Sequence, residues 1–389
     1  MIYQHLIRRD QQWERLVAAF HNGRLAHAHI FHGPPGSGKQ AHAIELAALV
    51  NCHNPGDDGA CQACPSCAKF HTLQHPNLEI VVPLPRRVAI TKDDPALKAL
   101  KPSDLAQLVE ELALKAADPY HRIQVDGAQS ILINSVRDIR RGIRLTPAEA
   151  GWRSFLIFEA EKLCAPNPTA ANALLKILEE PPPRTLFVLV TDRVQLMLDT
   201  IRSRCLGLHF PPLPPEQVAQ YLTEQAGVEQ QEAGILAQVT GGNLPQAQLL
   251  AGEDGDLSQG VEQLLAALLT PRPKGWQTLV DRLARQHKSR PQEFAYTMRL
   301  LQLWLRDLMV LERAGDKELV LFDNRLDELE QHVAAWPASD WGVAAMAVEQ
   351  ALGLLERNIN PSLVLVNMIL DIRGAAKGKV LPRPESAIA

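Results

Sequence analysis

The sequence predicts a parallel α/β sheet over roughly its first 210 residues, followed by a region built from helices alone. Three observations carry that prediction. Residues 33 to 40 read Gly-Pro-Pro-Gly-Ser-Gly-Lys-Gln, a phosphate-binding loop with an apolar run before it and helical apolar spacing after it. Further short apolar runs at Glu79 to Val82, Ser154 to Phe158 and Leu186 to Thr191 are separated by helical stretches, the alternation of a parallel sheet covered by helices. Beyond the proline-rich break Phe210-Pro211-Pro212-Leu213-Pro214-Pro215 the apolar pattern is helical throughout.

Taken in order, Leu25 to Phe31 forms the strand that leads into the loop, and residues 40 to 51 (QAHAIELAALVN) form the helix that leaves it. Residues 83 to 122 are the least regular part of this region and read as a variable insertion. After the proline break, residues 216 to 252 read as short helices with Gly241-Gly242-Asn243 as a stop. Longer helices follow from about 258, including Glu293 to Glu312 and Pro361 to Ile372, and residues 377 to 389 form a tail. A chain of 389 residues is too long for one ordinary core. The expected division is 1–210, 211–257, 258–375 and a tail from 376.

In the phosphate-binding pattern glycine amides cradle phosphates, a lysine neutralises them and a final hydroxyl holds Mg²⁺. The candidate nucleotide-contacting residues are therefore Gly33, Pro34, Pro35, Gly36, Ser37, Gly38, Lys39 and Gln40. Gln40 stands where the hydroxyl belongs, and a carboxamide is a poor substitute in a compact octahedral shell. A second lesion falls on the same ion. In Phe155-Leu156-Ile157-Phe158-Glu159-Ala160 an NTPase would end its apolar run with Asp and then Glu, and only one carboxylate is present in either alignment frame. Nucleotide binding stays open on this reading, Mg²⁺ binding is doubtful, and hydrolysis is not expected.

Cys52, Cys61, Cys64 and Cys67 are spaced C-x8-C-x2-C-x2-C. Four thiolates close a tetrahedral Zn²⁺ shell and leave no open position, so the expected site is structural. Four of the six cysteines lie in this one window, which suits a reducing cytoplasm better than a disulfide framework. A formal charge of −4 excludes bulk basic character, so any DNA contact must come from a local patch. Arg137, Arg140, Arg141 and Arg144 supply one: at i, i+3, i+4 and i+7 they share a helix face that can track phosphates, with Asp138 available to neutralise part of it. The opening MIYQHLIRRDQQWERL is amphipathic without a long apolar core, which argues against a signal peptide. No apolar run reaches the ~18 residues of a membrane span.

Asn172-Ala-Leu-Leu-Lys-Ile-Leu-Glu-Glu-Pro-Pro182 and Ser203-Arg204-Cys205 make the chain resemble the clamp-loader branch of the AAA+ ATPases. The cysteine spacing after the first helix and the altered nucleotide site point to the bacterial members that do not hydrolyse ATP. The likeness covers residues 1 to about 250 well and the remainder more loosely, through Trp304-Leu305-Arg306-Asp307-Leu308 and Asn358-Ile359-Asn360-Pro361. It implies an AAA+ P-loop sheet with a zinc-binding insertion, a helical lid over 211–257 and an all-α collar over 258–375.

The same resemblance makes Arg204 an arginine finger offered in trans to the γ-phosphate of a neighbour's ATP, where a guanidinium stabilises charge on the transferring group. It makes Thr191 the first sensor position. It puts Pro245 where the second-sensor arginine would stand, a third missing element of ATP chemistry. The implied partners are gamma/tau-type motor subunits, a delta subunit, a ring-shaped sliding clamp reached through the complex, and primer-template DNA, within the DNA polymerase III holoenzyme. Two rivals remain: a gamma/tau-like motor that hydrolyses its own ATP, and a zinc-stabilised DNA-binding module with a vestigial loop.

Overall fold

The computed structural model describes residues 1–143, 149–252, 257–269, 273–357 and 359–379. The chain divides into two compact units, Met1–Gln217 with Gly242–Gln246, and Val218–Gly241 with Ala247–Ala389.

The first unit contains α1 (Asp10–His21), β1 (Ala28–His32), α2 (Lys39–Asn51), α3 (Pro65–His71), β2 (Leu78–Val81), α4 (Pro102–Ala117), α5 (Ile133–Gly142), β3 (Arg153–Phe158), α6 (Thr169–Glu179), β4 (Thr185–Thr191), α7 (Asp199–Arg202) and β5 (Leu206–His209). The strands form one sheet in the order β2-β3-β4-β1-β5, and every pairing is parallel. All seven residues of β4 are buried, as expected for a central parallel strand covered on both faces. The stretch 83 to 122, irregular by sequence, holds the 16-residue helix α4. Its start signal is local: Pro102 occupies the first turn and Asp104 Oδ2 accepts the Lys101 amide at 2.9 Å. The edge strand β5 had no sequence signal, being four residues long and mostly exposed.

Helix α2 has almost no exposed face, because its alanines let it lie close within the unit. Two of its buried polar side chains, Glu45 and His42, are matched by backbone groups. Glu45 accepts the Ile2 and Tyr3 amides at 2.7 and 2.8 Å. His42 Nδ1 donates to Gly38 O at 2.9 Å while Nε2 accepts the Arg9 amide at 3.1 Å, which assigns the neutral Nδ1–H tautomer. Burial holds that imidazole near 4, well below its usual range.

The second unit is helical: part of α8 (Pro215–Ala226), then α9 (Gln230–Val239), most of α10 (Leu244–Ala251), α11 (Leu257–Leu269), α12 (Pro273–Ser289), α13 (Pro291–Ala314), α14 (Leu326–Ala335), α15 (Trp341–Glu356) and α16 (Pro361–Ala376). Trp304, Trp341, Phe322, Leu301, Leu308 and Val348 are at most 1% exposed and anchor its core. Each such side chain contributes about 1.5–3 kcal/mol by leaving water. Local signals set the ends. Gly315 closes α13 in the left-handed conformation, and Asn360 Oδ1 caps α16 by accepting the Ser362 amide at 3.0 Å. Buried Asp307 holds the turn after α13 by accepting the Leu321 and Phe322 amides at 2.8 and 2.9 Å.

Candidate functional site

All five strands run parallel, so the loops that follow β1, β3 and β4 emerge along one sheet edge, the usual place for a ligand in an open α/β sheet. The phosphate loop leaves β1 there. A side chain at Gly33 would place its Cβ 1.9 Å from Phe210 O, and one at Gly36 would lie 2.4 Å from Asn243 Oδ1, with φ of +150° and +77°. Only glycine fits either position. The backbone is thus that of a phosphate cradle at a helix N-terminus, pressed at Gly36 against the segment holding Asn243 and Leu244.

The side chains around it are matched to one another. Lys39 is 4% exposed, and its ammonium pairs with Asp192 Oδ1 at 2.8 Å while donating to Pro34 O at 2.6 Å and Ser37 Oγ at 3.2 Å. Burial lowers its pKa, and Asp192 opposes that fall. Arg122 reaches in from the segment after α4, with Nη2 2.5 Å from Glu159 Oε2 and Nη1 3.5 Å from Asp192 Oδ2. Burial works against the charge on Arg122, but Glu159 and Asp192 outweigh it and raise its pKa. Lys162 Nζ closes the group at 3.0 Å from Glu159 Oε2. Thr191 ends β4, donates to Glu161 Oε2 at 2.5 Å and accepts the Arg193 amide at 3.0 Å, so its hydroxyl is used on both sides. These side chains do not fit a Mg²⁺–nucleotide: Gln40 offers a carboxamide, and the lysine and all three of these carboxylates already have partners. Asp192 and Arg122 were missed in the sequence. Asp192 directly follows Thr191, whereas Arg122 lies 37 residues from Glu159 with no motif around it.

The four cysteines come together at the other end of α2, their Sγ atoms all within 4.8 Å of one another. The Cys52–Cys64, Cys61–Cys67 and Cys52–Cys67 sulfurs are 4.0, 3.9 and 3.7 Å apart. Tetrahedral Zn–S bonds of 2.3 Å require S···S near ~3.8 Å, so the set fits this ion. Cys52 Sγ accepts the Cys61 amide at 3.2 Å and Cys64 Sγ accepts the Cys67 amide at 3.4 Å. Burial pushes Cys64 up, but hydrogen bonds from the Cys67 and His53 amides bring it down to about 6. Burial raises the Cys52 and Cys67 thiols, so a cation is needed before all four become thiolates. Behind the cluster Ser66 Oγ donates to Asn51 O at 2.7 Å and approaches His75 Nε2 at 3.1 Å, and His75 stacks on Phe70.

Arg204 follows α7 and is partly exposed. Nη2 pairs with Glu179 Oε1 at 2.7 Å and Nη1 donates to Thr200 O at 2.9 Å. Cys205 is half-buried beside it, its thiol raised to about 12 by burial, which suits packing and not nucleophilic chemistry. Pro245 sits in the first turn of α10.

The arginine stripe is divided. Arg137 is half-buried and donates to Asn134 Oδ1 at 3.3 Å, while Arg140 is exposed. Arg141 pairs with Asp138 and donates to Asp93 O at 2.7 Å, and Arg144 lies outside the described residues. Arg137 instead lines a cleft of about 800 Å³ together with Arg86, Arg87 and Lys92; among the described residues no carboxylate side chain lines it, and Arg87 Nε lies 3.5 Å from Asp104 Oδ1 outside the lining. The first turns of α5 and α6 border the same cleft through Ile133, Asn134, Thr169 and Ala170. The three additional cations lie in the stretch that carried no pattern in the sequence. Among the described residues, no helix is long and apolar enough to cross a membrane.

Comparison with known proteins agrees with this geometry. The family model "DNA polymerase III, delta subunit" matches residues 8–214. The chain is 26% identical to DNA polymerase III subunit delta' of Bacillus subtilis over 361 residues, which cover 92% of this chain and 94% of that protein. It is 27% identical to subunit delta' of Escherichia coli over 290 residues, covering 74% and 72% respectively. The B. subtilis tau subunit is 24% identical, over 84% of this chain and 55% of its own length. The parallel P-loop sheet, the four-cysteine module and these relatives together establish that the chain belongs to the DNA polymerase III delta subunit family, as a delta-prime component of the bacterial clamp loader.

Proposed function

We propose that the chain is a non-hydrolysing stator of the clamp loader, which supplies Arg204 in trans to the ATP site of a neighbouring gamma/tau-type subunit. The observation that carries this reading is a contrast between two cations. Lys39, the cation of the chain's own phosphate loop, is buried against Asp192. Arg204 stands at the surface, and among the described residues the half-exposed Glu179 is its ion partner. A surface ion pair of this kind contributes ~0–1 kcal/mol and is easily exchanged for a phosphate. Once aligned, an arginine finger contributes ~10³ or more to the rate.

The remaining assignments fit the same role. Cys52, Cys61, Cys64 and Cys67 hold a structural Zn²⁺, which supplies the charge that keeps their segment folded. Residues 211–257 act as lid and 258–375 as collar, the latter packing with the delta and gamma/tau subunits. Arg137 and Arg140, joined by Arg86 and Lys92, contact primer-template DNA through phosphates, supported by a cleft that no carboxylate among the described residues lines and that two helix N-termini border. The sliding clamp is reached through the complex, in the cytoplasm.

The test is the DNA- and clamp-stimulated ATPase of the reconstituted loader with wild-type chain or Arg204→Ala, with gel filtration to verify that both complexes are complete. A rate loss of tenfold or more with intact assembly supports the stator. An unchanged rate, with hydrolysis by this chain alone, would sink it in favour of an autonomous motor.

A further inference from the structure

The segment between β2 and α5 sends one side chain into the sheet edge where a nucleotide and its metal would lie. From this placement we infer that Arg122 replaces the metal–nucleotide pair as the keystone of that edge, holding the loops after β1, β3 and β4 in one charge-matched, metal-free junction. This goes beyond the stator reading and does not depend on Arg204.

Arg122 bridges Glu159 and Asp192 at 2.5 and 3.5 Å, and Asp192 passes the link to Lys39 at 2.8 Å. Lys162 completes the set on Glu159 at 3.0 Å. Three positive and two negative side chains are thereby joined, and the third carboxylate at this edge, Glu161, is held by Thr191. In a nucleotide-binding sheet a divalent ion draws the equivalent carboxylates together and the lysine faces phosphate. Here a planar guanidinium does the first task and Asp192 answers the lysine.

Two further features show that the edge is held in place and not left idle. Glu159 adopts φ +51° and ψ +48°, a left-handed conformation that a non-glycine residue keeps only when its surroundings enforce it. Its side chain is 11% exposed, so its charge needs a fixed partner. At Gly36 the loop backbone is in tight contact with Asn243, which closes that side of the cradle.

The junction predicts a chain that gains nothing from nucleotide and loses rigidity without Arg122. The probes are ADP and ATP, titrated calorimetrically into the full chain in MgCl₂ and in EDTA, alongside melting of wild type, Arg122→Ala, Arg122→Lys and Asp192→Asn. Expected results are no saturable binding by wild type up to about 1 mM, and a melting temperature lowered by ~3 °C or more in Arg122→Ala. Arg122→Lys, which keeps the charge but not the fork, falls between them. Asp192→Asn frees Lys39 and gains ADP binding of equal strength in EDTA and MgCl₂. Mg²⁺-dependent nucleotide binding by wild type, or unchanged melting of Arg122→Ala, would overturn the inference. Neither result bears on the finger, which is read in the loader's ATPase.

Discussion

At the amino end of α2 the phosphate loop has its lysine matched by Asp192, whereas at the carboxyl end four thiols face one another at metal-ligand spacing. The same helix serves both. The difference lies in whether the donors already have partners. A buried donor already matched to an acceptor offers a ligand less, since each new contact must first break an old one. Thiols whose burial disfavours the charge they need are stabilised by the arriving cation.

The comparison can be broken most decisively at the cysteine end. Cys67→Ser, or removal of metal by a strong chelator, should cost more than about 3 kcal/mol and unfold the segment between Cys52 and His75. Metal analysis and protease cleavage of that segment check this; an intact fold without metal would reduce the four cysteines to packing. The next effect lies beneath the module. Asn51 bonds Ala47 O at 2.9 Å, Ser154 Oγ at 3.3 Å and the Trp152 amide at 2.9 Å, so Asn51→Ala strands several buried groups. A loss of about 2 kcal/mol by urea melting is expected.

At the other end, Lys39→Met removes one partner of a largely buried pair while Arg122 still faces Asp192. The expected loss is smaller, about 1–2 kcal/mol, because Asp192 is a quarter exposed. A loss larger than that of Asn51→Ala would show that the loop depends on its lysine more than its shared partners imply. The last is a pH signature of buried groups, read as a slope and not as a single loss. Burial raises Glu45 from 4.5 to about 7, so between those values the folded chain keeps a proton that the unfolded chain has released. Glu45 therefore makes stability fall as pH rises through that window, His42 makes it rise between about 4 and 6.5, and Glu45→Gln should leave the rising part alone. Burial lowers Lys115 from 10.5 to about 7, so above pH 7 the unfolded chain binds more protons and stability should rise again. Denaturant melts of wild type and Glu45→Gln across pH 5 to 9 read these contributions, and identical slopes below pH 7 would overturn the Glu45 assignment.

How much of this was legible depends on how local each signal is. The phosphate loop and the cysteine module are short spacings whose backbone and ligand requirements are written in consecutive residues. Strands β1, β3 and β4 were legible because buried parallel strands are continuous apolar runs. Helix α4 was obscured by the irregular residues before it, although Pro102 and Asp104 marked its start. The arginine stripe was legible as a helix face, but its periodicity gave no warning that Arg141 is occupied by Asp138 and the Asp93 carbonyl.

By itself the sequence determined that this chain carries a P-loop sheet, a cysteine quartet at metal-ligand spacing, helices beyond residue 210 and a phosphate loop lacking its hydroxyl, because each follows from residue type at fixed short spacing. The tertiary structure alone decided what became of that site. Arg122, Glu159 and Asp192 are separated by 37 and 33 residues along the chain, and only the parallel order of the sheet brings them within ion-pair distance. Charge matching depends on distance in space, and for these residues that distance is set by the fold.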